Sequence, residues 1–244
     1  MKIAIIPGAF FPNPGGAQVQ AHNLANRLCE TNNQADIVLL NKTNIVKKKY
    51  NIIYLNKILI NIIFIFHYYL KIDLTFFLEI YFKKIITKNK YKIWHFIFIN
   101  YKSLLFINIL KKLNQKIVVT FQGADIQINK NILYGNRLDK NYEKLLKKSI
   151  VNVDLFTAIS KNIYKDLIKI GIKKRKIIII PNGIPLKKFI ELKKKIRPAS
   201  FKKTKIKLIT VARYAEKKKG FDLIPKIILN FKKLKINYEW TIIG

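Results

Sequence analysis

Arg213, Lys218 and Lys219 are the residues of this 244-residue chain whose types and spacing point most directly to chemistry. An apolar run, Ile206 to Val211, delivers the arginine into a loop, and six residues later a Lys219-Gly220 pair precedes a helical pattern. A guanidinium, an ammonium and the free N–H groups of a helix N-terminus can converge on one anion, so the pattern reads as a phosphate site. Lys218 is the alternative second cation. Lys219 is preferred because it directly precedes Gly220, which is read as opening the helix.

Other candidates follow apolar runs, where an open α/β sheet binds its ligands. Pro7 to Gly16 is a Pro/Gly loop ahead of a helical pattern, and Gly15 and Gly16 would let a ligand approach the backbone and the helix N–H groups. The loop is neither Gly-x-Gly-x-x-Gly nor Gly-Lys-Ser/Thr, so a dinucleotide fingerprint and a P-loop are excluded, and a tight structural turn is the competing reading. His95, in the run Lys92 to Phe98, offers a neutral imidazole to a ligand or sits satisfied in a core. Gln122-Gly123-Ala124-Asp125 follows Ile117 to Phe121; Asp125 orients either backbone, as in an Asx turn, or a substrate hydroxyl. Asn182, in Pro181-Asn182-Gly183, ends a further run. Three scattered histidines and one cysteine give no metal constellation, so no metal is expected.

The elements that must position these groups alternate. Apolar runs at 2–7, 36–40, 52–55, 92–98, 117–121, 153–159 and 176–180 read as strands. Helical spacing falls at 17–30, within the aromatic region 58–82, and at 103–113, 136–149 and 161–170, the last capped by Ser160. Short continuous apolar strands in β-α order predict an α/β fold with a doubly wound parallel sheet. Residues 1–184 read as one Rossmann-like domain, the Lys-rich stretch 185–204 as a connector, and 205–244 as the first β-α-β of a second Rossmann-like domain, with its helix over 219–234. Two strands cannot bury both faces of a sheet, so this second part is expected to be incomplete.

The net charge of +35 comes from 43 lysines and five arginines against 13 acids. Ile, Lys and Asn make up 112 residues and Ala only 11, a bias toward A/T-rich codons that accounts for much of the lysine. Attraction to an anionic membrane surface is the next reading of the charge, and nucleic acid is not an expected partner. The run 58–70 is too short to span a bilayer, so 58–82 reads as two core or half-buried helices, with an interfacial element as the alternative. No secretory signal precedes the first strand, which points to the cytoplasm, with a peripheral position on the inner face of the plasma membrane.

Taken in order, the motifs resemble glycosyltransferase family 4, the retaining nucleotide-sugar transferases of GT-B fold. Pro12-Asn13-Pro14-Gly15-Gly16 looks like the family's Pro-x-x-Gly-Gly loop, and Trp94-His95-Phe96 like its strand-borne histidine. Thr120 to Asp125 looks like Thr-x-His-Gly-x-Asp with Gln122 in place of histidine. Ala158-Ile159-Ser160 and Ile180 to Ile184 are similar to later segments, and Arg213 with Lys219 to Ile224 to the donor clip, at a spacing one residue longer than usual. The resemblance implies two Rossmann-like domains around a cleft, with the acceptor on the first and a nucleotide sugar on the second. It implies that Arg213 and Lys219 neutralise the donor diphosphate in place of a metal, that Gly16 approaches the donor, and that His95 contacts the transferred sugar. It also implies a glycan or lipid-linked acceptor of the cell envelope, and no cofactor beyond the donor. Readings left open are a non-catalytic basic binding module and another GT-B enzyme such as a nucleotide-sugar epimerase. The family's Glu-(seven residues)-Glu element does not appear before Gly244. The chain therefore resembles a fragment of a longer enzyme, with weak donor binding and little turnover alone.

Overall fold

The computed structural model describes residues 1–11, 15–45, 48–184, 186, 189–191, 205–212, 214 and 216–244. Arg213, Pro12 to Pro14 and most of the expected connector lie outside them. The chain divides into two compact units, Met1–Asn129 with Gly135–Gly183, and Lys130–Tyr134 with Ile184–Gly244.

The first unit is a seven-stranded parallel sheet. Its strands are β1 (Lys2–Pro7), β2 (Gln34–Leu39), β3 (Asn51–Tyr54), β4 (Ile93–Ile97), β5 (Ile117–Phe121), β6 (Leu155–Ala158) and β7 (Ile177–Ile179). They lie in the order β3-β2-β1-β4-β5-β6-β7. The helices are α1 (Gly16–Glu30), α2 (Lys57–Tyr68), α3 (Thr75–Asn89), α4 (Tyr101–Lys112), α5 (Lys140–Ile150) and α6 (Lys161–Lys169). Period-2 alternation sends Ile3, Ile5, Ala35 and Ile37 to one face, where α1 packs with Ala21 and Ala25. Ala4, Ile6, Trp94, Phe96 and Phe121 face the other way, into a core with Ile60, Phe82, Phe106, Leu146 and Leu167 from the remaining helices. Because both faces are covered, the strands read as continuous apolar runs rather than alternating ones.

Local chemistry sets the ends of the elements. Asn56, Asn100, Asp139 and Ser160 each accept a backbone N–H bond from the first turn of the helix they precede. The expected helix over 136–149 differs for this reason. Asn136–Leu138 is a 3-10 turn, and the Asp139 carboxylate takes the N–H groups of Asn141 and Tyr142, so α5 starts at Lys140.

In the second unit β8 (Ile206–Val211) pairs in parallel with β9 (Tyr238–Ile243). The helix Ile224–Lys233 lies between them in sequence, and the Phe231 ring packs 5.1 Å from Tyr238 and 6.5 Å from Trp240. Trp240 Nε1 donates to Thr210 Oγ1 at 2.9 Å. The expected single helix over 219–234 is three pieces: a short helix Glu216–Lys219, a 3-10 turn Phe221–Leu223, and Ile224–Lys233 with Pro225 in its first turn.

Candidate functional site

Strand order in the first unit reverses between β1 and β4, so the crevice beyond their carboxyl ends is where a ligand is expected. The two loops there are tied together. Gly8 N–H donates to Ile97 O at 2.8 Å, and Asn100 Nδ2 donates to Gly8 O at 2.8 Å. A Cβ on Gly8 would overlap the Phe98 carbonyl, so only glycine allows this approach. Asn100 also caps α4, its Oδ1 accepting from the N–H of Ser103 at 3.1 Å.

Gly15 stands at the N-cap position of α1 in extended backbone with no side-chain cap, and Gly16 begins the helix. A Cβ added at Gly16 would meet nothing within 4 Å, and one at Gly15 would meet only the mobile end of Gln18. Packing among the described residues therefore does not require either glycine. What the pair provides is bare backbone at the positive end of a 15-residue helix dipole, where an anion is stabilised.

Two further loops, after β5 and β7, gather on this side of the sheet. Gln122 Oε1 accepts from Asn182 Nδ2 at 3.1 Å, joining the segments after β5 and β7. Gln20 Nε2 donates to Gly183 O at 3.0 Å, bringing the start of α1 to the same segment. Asp125 is fully buried, and its carboxylate accepts from the N–H groups of Gln122, Gly123 and Ile99 at 2.9–3.3 Å. Tyr142 Oη donates to the carbonyls of Asp125 and Ile99 at 3.2 Å. Asp125 thus orients backbone, locking the β4 and β5 loops together. Burial pushes its carboxyl up to about 7, and the amides it holds oppose that shift.

His95 sits within β4 rather than beyond it, on the face of Ile93 and Ile97. Its Nε2 lies 2.7 Å from Thr120 Oγ1, which in turn bonds to Thr157 Oγ1, so a polar chain crosses β4, β5 and β6. Burial lowers the imidazole pKa to about 4, leaving the ring neutral at pH 7.

A cavity of about 160 Å³ lies beyond the ends of β1, β2 and β3, with Phe10, Phe11 and Phe106 among its apolar lining and Asn41, Asn100, Lys102 and Ser103 supplying polar groups. Lys102 Nζ donates to Asn61 Oδ1 at 2.5 Å, and burial together with the nearby Lys57 lowers its pKa. Asn100 and Lys102 were not singled out from the sequence. The Asn-x-x-Ser spacing ahead of a helical run was a legible signal for the cap at Asn100; nothing in the sequence pointed to Lys102.

In the second unit, Lys218 and Lys219 end the short helix and are exposed. Lys218 Nζ lies 3.9 Å from the centre of the Tyr134 ring, a cation–π contact. The expectation that Lys219 precedes a helix-opening glycine is corrected. Gly220 has φ 72, the left-handed conformation that ends a helix, and the longer helix begins only at Ile224. Gly220 therefore gives no ground for choosing Lys219 over Lys218.

The family model described as Glycosyltransferase Family 4 matches residues 14–188. No curated protein matches the chain. Among solved structures, a glycosyltransferase from Rickettsia africae ESF-5 is 16% identical with a TM-score of 0.56, over 100% of this chain and 69% of that one. The lipopolysaccharide outer core galactosyltransferase WaaB, in apo form, is also 16% identical with a TM-score of 0.56, over 100% of this chain and 68% of that one. UDP-GlcNAc 2-epimerase from Neisseria meningitidis, bound to UDP-GlcNAc, is 14% identical with a TM-score of 0.54, over 99% and 65%. The chain spans 69% of the Rickettsia africae structure and 62% of a UDP-N-acetylglucosamine 2-epimerase from Rickettsia bellii, about two thirds of their length.

Proposed function

This chain belongs to glycosyltransferase family 4 and has an α/β fold of GT-B type, and from that premise we propose that it serves sugar transfer from a nucleotide sugar to a cell-envelope acceptor, with retention and without a metal. The acceptor is a lipopolysaccharide, exopolysaccharide or glycolipid, and the work is done in the cytoplasm at the inner face of the membrane. The observation that carries the reading is the uncrowded Gly15-Gly16 entry to α1 at the switch point of the sheet, in a chain matched by the family over residues 14–188.

In this reading the α1 N-terminus stabilises negative charge on the donor. Arg213 with Lys218 or Lys219 neutralises the diphosphate as it leaves, the charge that grows in the transition state. His95, neutral at pH 7, contacts the transferred sugar, and Gln122, Gly123 and Asn182 line the substrate, with Asp125 holding their loop. The cavity at the ends of β1 to β3 takes the acceptor, with Lys102 as its cation.

The test is a panel of nucleotide sugars titrated against the purified chain, followed by assay for released nucleoside diphosphate and for product. One donor is expected to bind, and Arg213→Ala is expected to weaken it at least about tenfold, the scale of a lost charge-assisted contact. Lys218→Ala and Lys219→Ala, measured side by side, identify the second cation. Unchanged binding in all three variants would sink the proposed clip. A second reading, a nucleotide-sugar epimerase, has the shared fold of the Neisseria structure as its support. A product in which the sugar is altered but not transferred would favour it.

A further inference from the structure

The outward face of α2 is apolar where a surface helix normally carries charge. Ile58, Ile62, Ile65 and Tyr69 recur at spacings of four, three and four, so they form one stripe, and Ile58 is 73% exposed. The opposite face is apolar too, with Ile60 and Ile63 buried in the core. With apolar side chains on both its buried and its exposed face, the helix calls for a second apolar medium on its outer side. The neighbouring α3 also exposes apolar side chains, Phe76, Phe77 and Ile80, Phe76 at 64%. Past Ile80 the exposed positions of α3 turn basic at Lys83, Lys84 and Lys88, and Lys57 stands at the other end of the patch.

Charge selects the occupant. Residues 57–90 hold six lysines and two acids, Asp73 and Glu79. Asp73 lies 3.6 Å from His67, and Glu79 is paired with Lys112 at 2.6 Å. Lysine is depleted at protein–protein interfaces, whereas its long stem can lie along an apolar surface with the ammonium at a phosphate layer. A second copy of a chain carrying +35 would be repelled. Nucleic acid offers phosphate but no apolar layer for isoleucine and phenylalanine. Among the described residues no helix is long and apolar enough to cross a bilayer, so the contact is with the surface. We propose that the exposed face of α2 and α3 lies in the headgroup layer of an anionic membrane, with Ile62 and Phe76 reaching the acyl boundary and the flanking lysines at lipid phosphates. This surface stands on its own residues, whether or not the transfer reading holds.

The experiment is co-sedimentation of the full chain with vesicles of phosphatidylcholine alone and of phosphatidylcholine with phosphatidylglycerol, at low salt and at 0.5 M salt. Binding is expected on the anionic vesicles, with a fraction that persists at high salt. The double variant Ile62→Ser/Phe76→Ser is expected to lower the high-salt partition about tenfold or more, with its melting temperature unchanged because both side chains are exposed. Val151→Ser, an exposed apolar position elsewhere in the same unit, is the control expected to bind like the parent. Binding abolished by salt and indifferent to the double variant would overturn the proposal, leaving only adsorption of a lysine-rich chain. So would a dimer in solution that the double variant dissociates, since the face would then be a subunit interface.

Discussion

The seven-stranded unit and the two-stranded unit use strands of the same chemistry and bury them differently. Ile5, in β1, is fully buried; Ile209 and Val211, in β8, are 66% and 69% exposed. Both strands are parallel, and both read as apolar runs. The difference is layers. β1 has α1 on one face and the core of α2 to α6 on the other. β8 has aromatic packing near Trp240 and Phe231 on one side, while Ile209, Val211 and Ile243 on the other meet no layer among the described residues. Strand sequence thus determines conformation locally, while stabilisation depends on what a second layer removes from water.

Truncation tests this contrast most strongly. Ile5→Ala is expected to cost about 2–5 kcal/mol in denaturant unfolding, whereas Ile209→Ala stays within about 0.5 kcal/mol. Equal losses would abolish the distinction between the units.

Glycines sharpen it within the first unit. Gly8→Ala forces the loop off the Phe98 carbonyl and is expected to cost about 1–3 kcal/mol. Gly16→Ala meets open space and is expected to leave the melting temperature unchanged while donor binding falls about tenfold. A stability loss at Gly16 equal to that at Gly8 would return the Gly-Gly pair to a purely structural role.

Asn100→Ala removes a helix cap and the donor to Gly8 together, with an expected cost of about 1–2 kcal/mol. Asn100→Asp keeps the cap acceptor and should recover part of it. Tyr142→Phe offers a check on the same locked loops, since it leaves the ring in place and deletes only the hydroxyl that bridges Ile99 and Asp125.

The smallest of the expected effects in the first unit is a pH dependence. The His95 pKa is about 4 folded against 6.5 for a free imidazole, so the unfolded chain binds the proton more readily between those values. Its contribution to stability is complete above pH 6.5 and is lost as pH falls toward 4. Asp125, raised to about 7, acts with the opposite sign over much of the same range, because the folded form takes up its proton first. The His95 share is therefore read by difference: relative to the parent, His95→Gln should gain on the order of 1 kcal/mol of stability on going from pH 7 to pH 5. Parallel curves for parent and variant would contradict a buried neutral ring.

Much of the architecture was open to direct reading. β1, β5 and β8 fall at the expected residues, Ser160 caps α6 as expected, and the α/β order is that of the motifs. The candidate site was legible as a set of loops after strands. How those loops are held was not: Asp125 reaches Ile99 across 26 residues, Asn100 reaches Gly8 across 92, and Asn182 reaches Gln122 across 60. At Gly220 the sequence is ambiguous, since Lys-Gly before an apolar run fits both the end of one helix and the start of the next; its positive φ and the placing of Pro225 decide for the end.

Sequence alone therefore determined the strands, most helices, the cap at Ser160 and the family likeness, because periodicity and capping act over a few neighbouring residues. Tertiary structure decided that Asp125 is a clamp, that His95 lies inside the sheet beside Thr120, and that one apolar face of α2 is exposed. Each of these depends on which surfaces meet across long separations in the chain, and burial and hydrogen bonding are properties of that meeting rather than of any local pattern.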